Sequence, residues 1–284
     1  NRNKQHQRLV AFAIDHRHQF INWAKAAGKS PAHINQFKQL AVQAAQQEAG
    51  QDPGFGMLID DRTGRSALHQ VTSTAAWVGR PIEASGEFPL QLEAEGDIVQ
   101  HLFDWPLNQT VKVLCPFRLD DDAATRQHHQ QLIIKLDQAC RFTGHQWLLE
   151  IITARQDNSP AFDQVAAIMQ HFYDLGVKPD WWKLEPALNH DYWRGVGEVI
   201  DANDSYCQGI IVLGLNGTID SISEAFNAAA KQPWVKGFAV GRTLFAEAAQ
   251  GWFQGHLNDA QAIDLMAKNY RLIIAAWDNA QAQK

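Results

Sequence analysis

Eight short apolar runs, each followed by a longer segment of helical periodicity, recur along the chain. They are LVAFAID (9–15), FGMLID (55–60), WVGRPIE (77–83), VKVLCPF (111–117), QWLLEII (146–152), WWKLEP (181–186), QGIIVLG (208–214) and VKGFAVG (235–241). Runs that are apolar on both faces are typical of buried strands in a parallel sheet. Eight strand–helix units in 284 residues predict an α/β fold, a (β/α)8 TIM barrel forming a single domain over residues 1–284.

A doubly wound open sheet also alternates strands and helices, but it usually has fewer strands and a glycine-rich first turn. The first turn here reads IDHRHQF (14–20) and contains no glycine, which favours the barrel. The segment 18–50 is longer than one barrel helix requires, so we expect additional helical turns there. The stretch SISE (221–224) has the pattern of a capping box and predicts the start of a helix.

The charge balance argues against two classes of partner. With 25 basic and 31 acidic residues the net charge is −6, so we expect neither nucleic acid nor an anionic membrane as a partner. The three cysteines are far apart and form no CxxC motif, which favours buried thiols in a reducing cytoplasm. The chain begins NRNKQ, without methionine, as a trimmed chain or a module of a longer polypeptide would.

Barrel enzymes place their active sites at the carboxyl ends of the strands. Polar residues concentrate there in this sequence, at Asp15, His16, Arg17, Asp60, Asp61, Arg80, Glu83, Glu150, Lys183 and Glu185, with Lys112 earlier in its strand. If Trp182 and Leu184 face the helices, strand alternation directs Lys183 and Glu185 into the barrel. The same alternation predicts that Asp15, Lys112 and Glu150 also point inward. Each could singly be a structural ion pair, but four on separate strands predict a functional cluster.

Glycines follow the last two predicted strands, where barrels commonly bind phosphate. GLNGTIDS (214–221) contributes Gly214 and Gly217, and GRTLFAEA (241–248) contributes Gly241. Arg242 then opens a helix, where the dipole and the guanidinium both favour an anion. The alternative is that these glycines only form tight turns.

The segments FAIDHR, VKVLCPF, LLEIIT, WWKLEP and FAVGRT, in this order, resemble the class I aldolase family that includes tagatose-1,6-bisphosphate aldolase. The resemblance covers nearly the whole chain. It is greater to the aldolase portion of the bacterial bifunctional 5-dehydro-2-deoxygluconokinase/phosphogluconate aldolase of myo-inositol catabolism. The sequences DHRHQF and WWKLEP differ from those typical of the tagatose enzymes, so the sugar specificity of those enzymes is not carried over.

The resemblance implies a Schiff-base lysine at Lys183, catalytic roles for Lys112, Glu150 and Asp15, and phosphate binding by Arg242. The implied reaction cleaves 6-phospho-5-dehydro-2-deoxygluconate to dihydroxyacetone phosphate and malonate semialdehyde, without a cofactor. The resemblance also implies a fused or associated N-terminal sugar kinase domain.

Aldolase chemistry assigns further expected roles. A lysine must lose its proton before it attacks a carbonyl, and burial or a nearby cation favours the neutral amine. We expect Trp181 and Lys112 to have these two effects. Glu150 is expected to move the proton of the C4 hydroxyl, with Glu185 as the second choice, and Asp15 to bind hydroxyls or orient the lysines. We expect Arg17 to contribute to substrate binding.

Two other readings remain open. The first is a metal-dependent aldolase or isomerase, for which the twelve histidines were considered. His128 and His129 are adjacent within a helical pattern and His171 lies mid-helix, so no histidine metal site is expected, although a carboxylate site stays open. The second is a non-catalytic module that binds a sugar phosphate beside a fused kinase. The stretch GWFQG (251–255) is compatible with a homo-oligomer contact or a buried helix end.

Overall fold

The computed structural model describes residues 6–94, 96–154, 160–215 and 217–283. Eight parallel strands form one closed barrel in chain order, and the last strand pairs with the first. The strands are β1 (Leu9–Ala13), β2 (Phe55–Leu58), β3 (Trp77–Pro81), β4 (Gln109–Pro116), β5 (Trp147–Ile152), β6 (Trp181–Leu184), β7 (Gly209–Leu213) and β8 (Val235–Val240). The predicted (β/α)8 barrel and its eight strands are therefore confirmed.

Helices surround this barrel and connect its strands. They are α1 (His18–Ala26), α2 (Pro31–Ala49), α3 (Asp61–Thr72), α4 (Ile98–Phe103), α5 (Ala123–Thr143), α6 (Val165–Asp174), α7 (His190–Asn203), α8 (Ile219–Ala229), α9 (Arg242–Phe253) and α10 (Asp259–Ala282), with a short 3₁₀ helix at Phe162–Gln164. The long segment after β1 thus forms two helices. Within the described residues, no helix has both the length and the apolar character required to cross a bilayer.

The predicted capping box at 221–224 is wrong in position. Helix α8 already begins at Ile219, and the side chain of Thr218 accepts a hydrogen bond from the backbone N–H of Ser221. Thr218 has extended backbone geometry, as an N-cap residue requires, so the N-cap lies three residues before Ser221.

Alternation along the strands separates two apolar layers. Trp182, Leu184 and Leu149 belong to the outer layer between strands and helices. The inner layer fills the barrel and consists of Leu9, Ala11, Ala13, Leu58, Trp77, Leu148, Trp181, Ile211 and Ala239. The rings of Trp77 and Trp181 meet edge-on, with centroids 6.1 Å apart. The predicted orientation of β6 is confirmed, and apolar side chains fill the interior around the charged residues.

The seam between β1 and β8 closes the barrel at a glycine. Gly237 pairs with Leu9 and has φ of +155°. A Cβ atom there would lie 1.7 Å from the carbonyl oxygen of Leu9, so only glycine allows the two backbones to approach. Tyr270 of α10 covers the same seam and donates a hydrogen bond to the carbonyl of Val10 at 2.8 Å.

Candidate active site

A cavity of about 520 Å³ opens at the carboxyl ends of the strands. Its wall includes six of the residues predicted from the sequence, namely Arg17, Glu150, Lys183, Gly214, Gly241 and Arg242. The cavity lies where barrel enzymes place their active sites, because side chains from several strands and their following loops meet there.

Lys183 lies on the cavity wall with a single carboxylate contact. Its Nζ atom donates a hydrogen bond to Oε1 of Glu150 at 2.7 Å, and only 5% of the residue is exposed. The register of the sheet explains the contact, since Glu150 of β5 is the direct partner of Lys183 of β6. The amine therefore borders the cavity next to a group that can accept a proton.

Lys112 is enclosed by three carboxylates and is not part of the cavity wall. Its Nζ lies 3.0 Å from Oδ2 of Asp15, 3.0 Å from Oε1 of Glu83 and 2.9 Å from Oε2 of Glu150. Burial alone would lower the pKa of Lys112, but the three negative charges outweigh burial and raise it well above the usual range. The three carboxylates thus favour the protonated form of Lys112, which cannot attack a carbonyl.

Two carboxylates of this cluster, Asp15 and Glu150, remain ionised despite their burial. Burial alone would raise the pKa values of Asp15 and Glu150. The positive charge of Lys112 acts most strongly against this, followed at Glu150 by Lys183, and both pKa values are lowered. Glu150 therefore bridges the two lysines as an anion.

Arg17 and Glu83 extend the ion-pair network away from Lys112. The guanidinium of Arg17 lies 2.9 Å from Glu83 and 3.2 Å from Glu93. Arg17 borders the cavity, but these carboxylates already balance its charge. Glu83 lies beyond Pro81, the last residue of β3, and our sequence reasoning assigned it no role in the site; its contact with Lys112 is seen only in the structure.

Arg242 defines the other side of the cavity. It is the first residue of α9, is half-buried, and the described residues provide no carboxylate within ion-pair distance of it. Burial lowers its pKa, and the negative charge of Glu150 partly opposes this. The first N–H groups of a helix also lack intrahelical acceptors. This end of the cavity is suited to bind an anion.

The glycines before this anion-binding end differ in their positions. Gly214 and Gly241 border the cavity, as predicted. Gly217 does not: its N–H donates to the carbonyl of Gly214 at 2.8 Å. The carbonyl of Gly217 accepts a hydrogen bond from Thr243 at 2.7 Å. Gly217 therefore shapes the turn instead of presenting its amide to a ligand.

Glu185 is also placed away from the cavity. Its carboxylate accepts hydrogen bonds from the hydroxyl of Thr153 and from the N–H groups of Thr153 and Ala154, at 2.9 and 3.1 Å for the two amides. Only 1% of Glu185 is exposed. These contacts hold the loop after β5, so the structure does not bring Glu185 to Lys183.

Three other predicted strand-end polar residues lie outside the cavity. Asp60 forms a buried ion pair with Lys38 of α2, and Lys38 also donates to the carbonyl of His16 at 3.2 Å. Asp61 pairs with Arg80 at 3.1 Å, and the Arg80 guanidinium stacks on Trp105. These pairs stabilise helix–strand packing around the barrel.

His16 lies at the cavity, although the sequence reasoning gave it no role. Its Nδ1 atom is buried 3.8 Å from Oδ1 of Asp15, and its ring packs edge-on against Phe245. Burial lowers the pKa of His16 to about 4, and Arg242 and Lys183 add to this while the charge of Asp15 opposes it. The imidazole is therefore neutral at neutral pH.

We expect His16 to give the stability of the protein a measurable pH dependence. Its pKa is about 4 in the folded chain and 6.5 in the unfolded chain, so the unfolded chain binds the extra proton between these values. The contribution of neutral His16 to the free energy of unfolding is fully present above pH 6.5 and is lost as the pH falls toward 4. The free energy of unfolding, measured with urea from pH 7 to pH 4, should decline less for His16→Gln than for wild type. The exposed control His69→Gln should decline like wild type, and an equal decline in His16→Gln would contradict the shift.

The histidines considered as metal ligands make other contacts. His128 and His129 hydrogen-bond the backbone of Leu90, and His171 contacts Gln130 at 2.7 Å. Over the described ranges, no group of three or more His, Cys, Asp or Glu side chains is arranged to hold a metal ion.

Comparison with known proteins adds a family and a fold. A family model described as "Uncharacterized protein conserved in bacteria (DUF2090)" matches residues 1–281. The chain belongs to the DUF2090 family. A search of curated proteins finds no match.

Among solved structures, this DUF2090 chain is similar to Cgl0159 from Corynebacterium glutamicum. The TM-score is 0.59 at 19% sequence identity, over 95% of this chain and 86% of that one. At this identity the similarity supports the barrel fold alone.

Proposed function

We propose that this DUF2090 protein is a Schiff-base aldolase that cleaves a ketose phosphate. The observation that carries the proposal is the contrast between its two interior lysines. Lys183 borders the cavity and contacts one carboxylate, whereas Lys112 is held as a cation by three. A nucleophilic amine and a positive charge are thereby provided by β6 and β4, the two strands that flank β5 and its Glu150.

The reaction follows from these positions. Lys183 attacks the ketone at C2, counted from the carbon that bears the phosphate, and loss of water gives an iminium ion. Glu150 accepts the proton of the C4 hydroxyl, the C3–C4 bond breaks, and its electrons form the enamine. The iminium is the electron sink that allows this cleavage, and Lys112 keeps Glu150 ionised and ready to accept the proton.

The substrate assignment combines the anion-binding end with the sequence resemblance. Arg242, beside Gly214 and Gly241, would hold the phosphate and so orient the ketone toward Lys183. By the resemblance, the substrate is 6-phospho-5-dehydro-2-deoxygluconate and the products are dihydroxyacetone phosphate and malonate semialdehyde. A sugar kinase, fused or associated, and a cytoplasmic location belong to the same proposal.

A cleavage assay tests this function. The protein is incubated with 6-phospho-5-dehydro-2-deoxygluconate, with and without EDTA, and release of dihydroxyacetone phosphate is followed. EDTA-insensitive release supports the proposal. EDTA-sensitive release would favour a metal-dependent aldolase, and binding of the sugar phosphate without cleavage would favour a non-catalytic module.

Loss of the Arg242 charge should weaken substrate binding. Because a hydrogen bond to a charged group contributes about 1.5–3 kcal/mol, we expect Arg242→Gln to raise KM by about 10–100-fold. The change in kcat should be smaller, since Lys183 and Glu150 are untouched. Steady-state kinetics measure both constants, and the exposed Arg194→Gln on α7 is the matched control. An unchanged KM in Arg242→Gln would place the phosphate elsewhere.

A further inference from the structure

Aldolase cleavage requires a second proton transfer that the contacts of Glu150 do not supply. The enamine left on Lys183 must gain a proton at C3 before the imine is hydrolysed. In the reverse direction, a base must remove that proton from the imine of dihydroxyacetone phosphate. Glu150 is already assigned to the C4 hydroxyl through the oxygen that faces Lys183, and Lys112 holds its other oxygen.

The described residues of the cavity wall include six ionisable side chains: His16, Arg17, His18, Glu150, Lys183 and Arg242. Arginines stay protonated and cannot act as the base. His18 is exposed at the first position of α1. His16 is the remaining group that is partly buried and able both to accept and to donate a proton.

The packing around His16 fixes the direction of its ring. Its Nδ1 is buried on the side of Asp15, and its edge contacts Phe245 of α9. A Cβ atom on Gly241 would lie 2.7 Å from Cε1 of His16, so the absence of a side chain at Gly241 makes room for the imidazole. The Nζ atom of Lys38 donates a hydrogen bond to the backbone carbonyl of His16 at 3.2 Å. This arrangement leaves Nε2 as the ring nitrogen that can reach a bound molecule.

Building on the proposed aldolase function, we propose that His16 is the catalytic base that moves the proton at C3, with Asp15 stabilising its charged form. In the condensation direction the C3–H bond breaks and the proton goes to Nε2 of His16. The C–H electrons form the C2=C3 bond, and the C2=N⁺ π electrons return to nitrogen. In cleavage the same proton returns from Nε2 to C3, which regenerates the iminium.

The charges facing the ring suit this exchange. Burial, and then the charges of Arg242, Lys183 and Lys112, lower the pKa of His16 in the free protein, so the ring is neutral and can accept a proton. Asp15, 3.8 Å behind Nδ1, favours the proton once it arrives. A phosphate bound at Arg242 would cancel part of the opposing charge. A carboxylate behind a histidine serves the same purpose in other enzymes that use histidine as a base.

The test separates proton exchange from imine formation. Wild-type protein and the variants His16→Asn, His16→Gln, His18→Asn and His69→Asn are incubated with dihydroxyacetone phosphate in D₂O. Deuterium incorporation at C3 is followed by NMR. In parallel, borohydride trapping measures the adduct on Lys183, which also shows that each variant is folded.

We expect both His16 variants to form the Lys183 adduct while their exchange rates fall by about 10²–10⁴-fold. His69→Asn, at an exposed position on α3 away from the cavity, should exchange like wild type. A third variant, His16→Gly, leaves a ring-sized space beside Gly241. Free imidazole added to this variant should therefore restore deuterium exchange. Adduct formation with wild-type exchange in the His16 variants, or loss of exchange in His18→Asn alone, would overturn the proposal. Absence of an adduct in wild type would instead overturn the aldolase function itself.

Discussion

Lys183→Arg is expected to fold like wild type and to lose aldolase activity by about 10⁴–10⁶-fold, the scale on which removal of a covalent nucleophile is felt. Arginine keeps a positive charge beside Glu150, but its guanidinium does not deprotonate and cannot form an imine. The variant therefore separates the covalent role of Lys183 from its electrostatic role. Lys183→Met should lose activity to the same extent.

Turnover measurements on Lys183→Arg check this expectation, with urea unfolding as the control for folding. Lys268→Met, an exposed lysine of α10, is the matched surface variant and should retain wild-type turnover. Retention of more than about a tenth of wild-type turnover by Lys183→Arg would show that the reaction does not pass through an imine.

The largest expected effect on stability comes from Lys112→Met. Methionine would leave Asp15, Glu83 and the Oε2 atom of Glu150 buried without the cation that they share. Removing one partner of a buried ion pair costs about 3–5 kcal/mol of unfolding free energy, and here three carboxylates lose the same partner. Urea unfolding at pH 7 measures the loss, with Lys268→Met as the surface control. A loss below about 1 kcal/mol would contradict the buried network.

The contribution of the buried carboxyl groups to the free energy of unfolding should change with pH in opposite directions in Lys112→Met and in wild type. In wild type the pKa values of Asp15 and Glu150 are lowered, so their contribution to stability is present above the unfolded pKa values of about 4 and is lost at lower pH. In the variant, burial without the cation raises these pKa values, and a carboxyl with a raised pKa loses stability as pH rises. The loss of unfolding free energy relative to wild type should therefore be smaller at pH 4.5 than at pH 7. Urea unfolding curves at the two pH values measure this difference.

Sequence alone could predict the barrel and the inward direction of Lys183, because both follow from backbone geometry. Alternation holds within a strand, so the outward Trp182 and Leu184 determine the direction of Lys183. The pairing of Lys183 with Glu150 then requires only the register of two neighbouring strands.

Alternation fails where a strand has ended, and this explains the misplacement of Glu185. Strand β6 ends at Leu184, and the next residue turns to hydrogen-bond the loop after β5. Glu83 also lies beyond its strand, but its bridge to Leu92 keeps the chain extended and its side chain reaches Lys112. The difference depends on loop contacts that local sequence patterns do not encode.

The choice between the two lysines likewise required the structure. Both Lys112 and Lys183 follow the inward alternation, and the number of carboxylates around each depends on contacts among β1, β3, β4 and β5. Similarly, the role proposed for His16 depends on the space that Gly241 leaves, and these two residues are far apart in the sequence.

The proposed aldolase reaction requires that Lys183, and not Lys112, forms an imine with the substrate ketone. Its most direct test is to incubate the protein with dihydroxyacetone phosphate, reduce with borohydride, and locate the adduct by peptide mass mapping. We expect one adduct, on the peptide that contains Lys183, unaffected by EDTA and absent from Lys183→Arg. An adduct on Lys112, or none on either lysine, would contradict it.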